Sequence, residues 1–305
     1  MYRYRRLLIG LDFTDTDPST IGYAAKVTRM AQSEKAYFLY VAKSLDIPAN
    51  LARKYPELTE PKDETARRRV EDVVEKYFAE ASPDTEIMIE VREGDPLTEL
   101  LRAANQKLVD LLVIGKRTDY SLSRDLPEKV ARKSPCSVLV VPAGAPAVIQ
   151  RVLLPSDFSD SSALALEVAV AFASEASRKP PIHCLHVYSV PQGYHKTGKS
   201  YEEFTELMRA SAEEEHAEFR SRVDSKGIPV EPAIILGADV TRTIEQYILD
   251  NGIDFLALGV RGKSAVAAML LGSTTEKLIR TTRIPLIVVK KKGANKNLLE
   301  ALLTG

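Results

Sequence analysis

The chain repeats itself. Short apolar runs of strand length alternate with stretches of helical periodicity, and the series filling the first half returns in the second. The first series is Leu7 to Leu11, Ala36 to Val41, Glu86 to Val91, Leu111 to Ile114 and Ser137 to Val141; the second is Val152 to Leu154, Ile182 to Tyr188, Val230 to Leu236, Phe255 to Leu258 and Leu286 to Val289. Individual residues also answer one another: Leu11-Asp12-Phe13 matches Ser156-Asp157-Phe158, and Leu112-Val113-Ile114-Gly115 matches Leu256-Ala257-Leu258-Gly259. Helical stretches such as Ser161 to Ser177, Tyr201 to Ser225 and Val240 to Asn251 suit crossovers between parallel strands. The expectation is an α/β chain of two tandem domains, each a five-stranded parallel sheet flanked by helices. A period this long means a domain pair and not a solenoid. The turn-rich Pro142-Ala143-Gly144-Ala145-Pro146 sets the boundary near Ala147, giving domains 1–146 and 147–291 and a tail 292–305.

Charge and composition then exclude several functions. Lysine plus arginine equals aspartate plus glutamate, 42 each, so no global field gathers nucleic acid or an anionic bilayer. The run Arg67-Arg68-Arg69 precedes Val70, Val73, Val74, Tyr77 and Phe78 at helical spacing and reads as the solvated flank of an amphipathic helix. Cys136 and Cys184 lie in or beside apolar runs without a Cys-x-x-Cys partner, which predicts buried free thiols. The basic start, Met1 to Arg6, leads into a short strand and not a secretory apolar region, and no run reaches the ~18 apolar residues of a membrane span. A soluble cytoplasmic protein is expected.

One constellation carries chemistry. Gly259-Val260-Arg261-Gly262 ends the fourth apolar run of the second half; nine residues later Gly272-Ser273 opens a helical stretch to Thr281. A helix start rich in Gly and hydroxyls, with Arg261 and Lys263 before it, offers unpaired N–H groups and positive charge to a phosphate. Ser273 with Glu276 three places on also reads as a capping box, and both roles can share one site. In an open parallel sheet, ligands bind beyond the carboxyl ends of the strands where strand order reverses, which gathers Asp157, Val187 and Gly259. Asp157 reads either as an acceptor for an adenine or ribose donor or as an N-cap or turn residue.

These residues carry a resemblance. Gly259, Gly262, Gly272 and Ser273 fit G-x2-G-x9-G-(S/T) without a gap, and with Leu153-Leu154-Pro155-Ser156-Asp157-Phe158-Ser159 and Leu185-His186-Val187 the second half resembles an ATP-binding universal stress protein domain. The likeness covers nearly the whole chain as two tandem domains and implies a Rossmann-like fold of the adenine nucleotide alpha hydrolase type. It implies that Asp157 and the Val187 backbone hold adenine and that Pro155 and Leu258 line its pocket. Gly259, Arg261 and Gly262 would surround ribose and phosphate, and Gly272, Ser273, Thr274 and Thr275 would hold the phosphates of ATP, ADP or AMP, with Mg2+ or Mn2+ on their oxygens. It also implies domains paired through their last strands as an internal pseudo-dimer.

The first half departs from the pattern. Asp12, Val41 and Gly115 remain, but Thr118 replaces the second Gly, Lys116 to Lys133 contains no Gly, and Gly115 to Val141 is shorter than Gly259 to Val289. One nucleotide per chain is expected, with a structural or regulatory first domain. His183 and His186, three apart on one strand, point to opposite faces and cannot share a metal. His195 falls in a polar loop, Ser189 to Ser200, that either covers the adenine or is a surface connection; His216, among glutamates on a helix, reads as solvated. No Gly-x-Ser-x-Gly elbow and no Walker lysine is present, so no catalytic residue is nominated and at most weak ATPase activity is expected. The tail, Lys290-Lys291-Lys292 then Leu298, Leu299, Leu302 and Leu303, reads as a frayed end or a short amphipathic helix for a partner. Two functions remain: a nucleotide-dependent stress or signalling protein, and a scaffold in which nucleotide binding is incidental.

Overall fold

In the computed structural model, which describes residues 4–42, 53–54, 63–117, 125–176, 179–260 and 271–293, each apolar run has become a parallel strand. The strands are β1 (Arg6–Leu11), β2 (Lys35–Ala42), β3 (Glu86–Glu93), β4 (Leu111–Lys116) and β5 (Ser137–Pro142), then β6 (Val152–Pro155), β7 (Ile182–Tyr188), β8 (Val230–Leu236), β9 (Phe255–Gly259) and β10 (Leu286–Val289). The helices are α1 (Asp17–Ala31), α2 (Asp63–Tyr77), α3 (Pro96–Gln106) and α4 (Asp125–Lys133), followed by α5 (Asp160–Glu175), α6 (Tyr201–Ser221), α7 (Val240–Asn251) and α8 (Ser273–Thr281). The described residues 4–147, with Lys292 and Gly293, form one compact unit; residues 148–291 form the other.

Strand order in the amino-terminal unit is β3-β2-β1-β4-β5, and in the carboxy-terminal unit β8-β7-β6-β9-β10. Both reverse direction beside the first strand, so both have a crevice beyond β1/β4 or β6/β9. The central strands are buried on both faces: Leu7, Leu8, Ile9, Leu111, Leu112 and Val113 in one unit, and Val152, Leu153, Leu154, Phe255, Leu256 and Ala257 in the other, expose essentially nothing. Register ties the repeats together, because Gly115 pairs with Val141 as Gly259 pairs with Val289.

A carboxylate staples each unit at the opposite edge. Asp110 accepts from the Arg5 and Arg6 N–H groups at 3.1 and 3.0 Å, and Asp254 accepts from Gln150 and Arg151 at 2.9 and 3.1 Å. Each closes the start of the first strand onto that of the fourth. Asp110 also meets Lys292 Nζ at 2.6 Å, and the Gly293 N–H donates to Pro135 O.

Helix ends follow from local chemistry. Asp95, Ser159, Ser200 and Asp239 cap α3, α5, α6 and α7 through their side chains, Ser200 within a capping box with Glu203. The sequence placed the ends of α5 and α6 at Ser177 and Ser225. They stop at Glu175 and Ser221, the latter where Arg222 folds back on Asp160 and Phe158 O. Both cysteines are buried free thiols, and burial pushes Cys184 up to about 12. Arg67 and Arg68 pair with Glu71 and Glu64 along the solvated side of α2, whereas Arg69 lies over the Phe13 ring. No helix among the described residues is long and apolar enough to cross a membrane.

Candidate functional site

Beyond the end of β6 the chain makes a tight turn whose every group is engaged locally. Ser156 N–H donates to Leu185 O at 2.8 Å, Ser156 Oγ accepts from Phe158 N–H at 3.0 Å, and His186 Nδ1 lies 2.9 Å from Ser156 O. A carbonyl only accepts, so His186 carries its proton on Nδ1. Asp157 Oδ1 accepts from Ser159 N–H at 3.1 Å and from Ser162 Oγ at 2.9 Å. Asp157 is therefore a turn residue, and Ser159 is the N-cap of α5. The turn forces Phe158 to φ +64°, a left-handed conformation that for a bulky residue costs about 1 to 3 kcal/mol unless its surroundings enforce it. Those surroundings are His186, His216 and Phe219, whose rings contact Phe158, and Arg222, which donates to Phe158 O.

Across the crevice, Gly259 ends β9. A Cβ there would come within 2.8 Å of the Ser161 carbonyl carbon and oxygen, so the glycine lets the first turn of α5 lie directly on the strand. Gly115 has the same duty: its Cβ would fall 2.3 Å from Thr16 Oγ1. This packing requirement, which operates in both units, accounts for the survival of Gly115 where the rest of the motif is lost. Gly272, with extended backbone, is the N-cap of α8, and its N–H donates to Val260 O at 3.0 Å. Ser273 is already helical, which overturns the capping-box reading with Glu276. The first turn of α8 thus has no side-chain cap. Ser273 is exposed, Thr274 half-buried, and Thr275 buried with its hydroxyl donated to Gly259 O at 3.2 Å. That bond ties α8 to β9.

Pro155, Leu258 and Val187 complete the surround. Pro155 pairs with Leu185 as the last rung between β6 and β7, so Val187 lies two residues past the end of that ladder. Leu258 is buried and Pro155 half-buried. Arg261, Gly262 and Lys263 lie outside the described residues, as does Thr118 of the other unit. No group of His, Cys, Asp or Glu able to hold a metal occurs among the described residues.

The histidines divide by face, as their spacing predicts. His183 Nδ1 sits 2.9 Å from Tyr247 Oη on α7, while His186 faces Phe158. Burial raises the Tyr247 phenol, which keeps its proton. His195 belongs to a 3-10 turn, Tyr194–Thr197, between two left-handed glycines and is exposed. His216 corrects the sequence reading. It is 8% exposed, with Nε2 buried and unpartnered, because Ala212, His216 and Phe219 share the inward face of α6. A separate concavity of about 530 Å³ along α7, lined by Ile235, Asp239, Arg242, Gln246, Tyr247 and Asp250, has none of the glycine motif.

The amino-terminal crevice is built differently. Asp12 Oδ1 takes Thr14 N–H and Oγ1 at 3.1 and 2.6 Å. At the position of Ser162 stands Asp17, 3% exposed, whose carboxyl accepts from the Asp12 and Phe13 N–H groups at 3.3 and 2.9 Å. Burial first, and the neighbouring Asp12, raise Asp17 to about 7. Composition gave no hint of this buried acid; its cue was position, the first turn of a helix just after a strand-end Asp.

Comparison with known proteins agrees with this architecture. The model of the universal stress protein family matches residues 3–142 and again residues 149–290. A universal stress protein of Methanocaldococcus jannaschii is 27% identical over 158 residues, covering 48% of this chain and 97% of the relative. Among solved structures, a universal stress protein from Archaeoglobus fulgidus shares the fold over 95% of this chain and 98% of its own, with a TM-score of 0.63 at 19% identity. A functionally unknown protein from Pseudomonas aeruginosa shares it over 99% and 98%, with a TM-score of 0.66 at 15% identity.

Proposed function

Since the chain belongs to the universal stress protein family, in two tandem domains, we propose that its carboxy-terminal domain binds one adenine nucleotide and that occupancy changes the surface shown to a protein partner in a cytoplasmic stress or signalling response. The observation that carries this reading is the uncapped start of α8 at Gly272, Ser273 and Thr274, beside the Asp157 turn at the topological switch point. ATP, ADP or AMP would place its phosphates on that helix start, with Mg2+ or Mn2+ held by phosphate oxygens. Adenine would lie between Asp157, Pro155, Val187 and Leu258, and Gly259, Arg261, Gly262 and Thr275 would complete the surround. Two tandem domains of one family fit an internal pseudo-dimer.

Hydrolysis is proposed to be slow. Asp157 and Asp160 are the carboxylates of the turn; one accepts from Ser159 and Ser162, and the other pairs with Arg222 at 3.3 Å. A carboxylate so engaged is poorly placed as a general base. Turnover below ~1 per second, under the range of ordinary enzymes, is expected.

The test is calorimetry of the full chain with Mg-ATP, beside Gly272→Val. The extended φ and ψ of Gly272 tolerate Val, so the fold should persist by circular dichroism. The branched side chain obstructs the backbone approach, and binding should vanish. Equal affinity in a folded variant would refute the assignment and favour the scaffold reading.

A further inference from the structure

The Phe158 ring joins the Asp157 turn to the body of the carboxy-terminal unit. It stacks on His186, with centroids 4.5 Å apart and planes at 23°, and meets His216 edge-on at 6.0 Å and 66°. The amino-terminal unit holds the corresponding ring by other means. Phe13, also at positive φ, lies 4.1 Å from the Tyr40 ring, with the Arg69 guanidinium 4.3 Å from its centroid. Phenol and guanidinium are residue types of constant charge around neutrality, whereas imidazoles change theirs there. The substitution of two imidazoles makes the second clamp responsive to protons.

His216 is the sensitive member. Its Nε2 is buried with no acceptor, a condition that suits a neutral ring and has no provision for a second N–H. The charged and titratable groups that act on it are Arg220 from its own helix and His186 from β7, while Arg222, which donates to Phe158 O, pairs with Asp160. Desolvation, then Arg220 and His186, hold His216 below its ordinary range. The sign follows. A histidine with a lowered folded-state value leaves stability untouched at high pH, and stability is lost as pH falls below the ordinary 6.5.

We propose that His186 and His216 form a proton-sensitive clamp on Phe158, which positions Asp157 at neutral pH and releases it in mild acid. Protonated His216 is repelled by Arg220, and turning outward to water relieves that repulsion. Phe158 then loses its edge contact and its left-handed backbone is less firmly held by the remaining His186, Phe219 and Arg222 contacts, so that relaxation to negative φ turns Asp157 away from Ser159 and Ser162. Histidine 216 is thus a positioning residue acting through Phe158. The effect on nucleotide rests on the reading of Asp157 given above; the clamp itself does not.

The experiment uses the full chain in three measurements. Urea unfolding at about pH 7.5 and about pH 5.5 should show a larger acid loss in the parent than in His216→Leu or His216→Phe. Equal losses overturn the proposal. NMR titration of the parent, which needs no variant to fold, should move the Phe158 ring signals with the His216 midpoint, and a Phe158 ring indifferent to that midpoint overturns the clamp. Mg-ATP affinity should weaken about tenfold between those pH values in the parent and about threefold or less in His216→Leu, the leucine variant cancelling the titration of ATP itself. A parallel fall in both proteins overturns the coupling to Asp157. If neither binds ATP at any pH, the nucleotide reading fails while unfolding and NMR still decide the clamp.

Discussion

The turns after β1 and after β6 occupy the same place in two copies of one fold and share a strand-end Asp that accepts from hydroxyls, yet the rest of each is held differently. After β6, hydroxyls and an imidazole do the holding: Ser156, Ser159, Ser162 and His186. After β1, a buried carboxyl, Asp17, gathers two backbone N–H groups next to Asp12. The first arrangement places a hydroxyl, Ser162, where the second places a buried acid raised to about 7. The pair shows that one residue in the first turn of a helix can change how a strand-end turn is held while the fold around it stays the same.

The sharpest way to break this comparison is at the glycines, which we expect to behave alike in size and differently in cure. Gly259→Ala should destabilise the carboxy-terminal unit by about 3 kcal/mol, because its Cβ meets backbone that cannot step aside. Gly115→Ala should cost a similar amount, but Thr16→Gly in the same chain should recover much of it, since the obstruction is a side chain. Urea unfolding with domain-specific probes would decide, and a cure for Gly115→Ala that fails would mean that the close approach is set elsewhere.

The acid in the first turn gives the next effect. Asp17 titrates near 7 in the fold against an ordinary 3.8, so its contribution to stability is present below about pH 4 and lost as pH rises through about 7. Asp17→Asn, which keeps an acceptor oxygen, should flatten that dependence and leave the chain about 2 kcal/mol more stable at pH 8. A variant less stable than its parent at pH 8 would contradict the burial argument. Smaller still is Asp157→Ala. With Oδ1 already accepting two bonds, the loss in ATP affinity should be about 1 kcal/mol, felt by adenosine and not by inorganic triphosphate. Asp12→Ala should leave ATP affinity unchanged, and a matching loss there would make the two crevices equivalent.

Much of the architecture was legible because strand burial on both faces writes continuous apolar runs, and the duplication supplied each run twice. Ile182–Tyr188, Val230–Leu236 and Val240–Asn251 could be bounded to the residue. The paired staples Asp110 and Asp254 went unread, because a single acid just before a strand carries no periodicity to mark it. His216 was misread because its neighbours are glutamates, although the spacing of Ala212, His216, Phe219 and Val223 is that of a helix's inner face. The left-handed Phe13 and Phe158 had no signal, since such backbone is the mark of glycine and not of a bulky ring.

Lys292 and Gly293 follow the last strand of the carboxy-terminal sheet in the sequence but belong with the unit made first. During synthesis the amino-terminal unit can complete its Asp110–Lys292 ion pair only after the last strand of its sister has been made. A chain stopped just after β10 would keep every strand of the carboxy-terminal sheet and lose instead two contacts of the unit encoded at the other end of the message, those at Asp110 and Pro135.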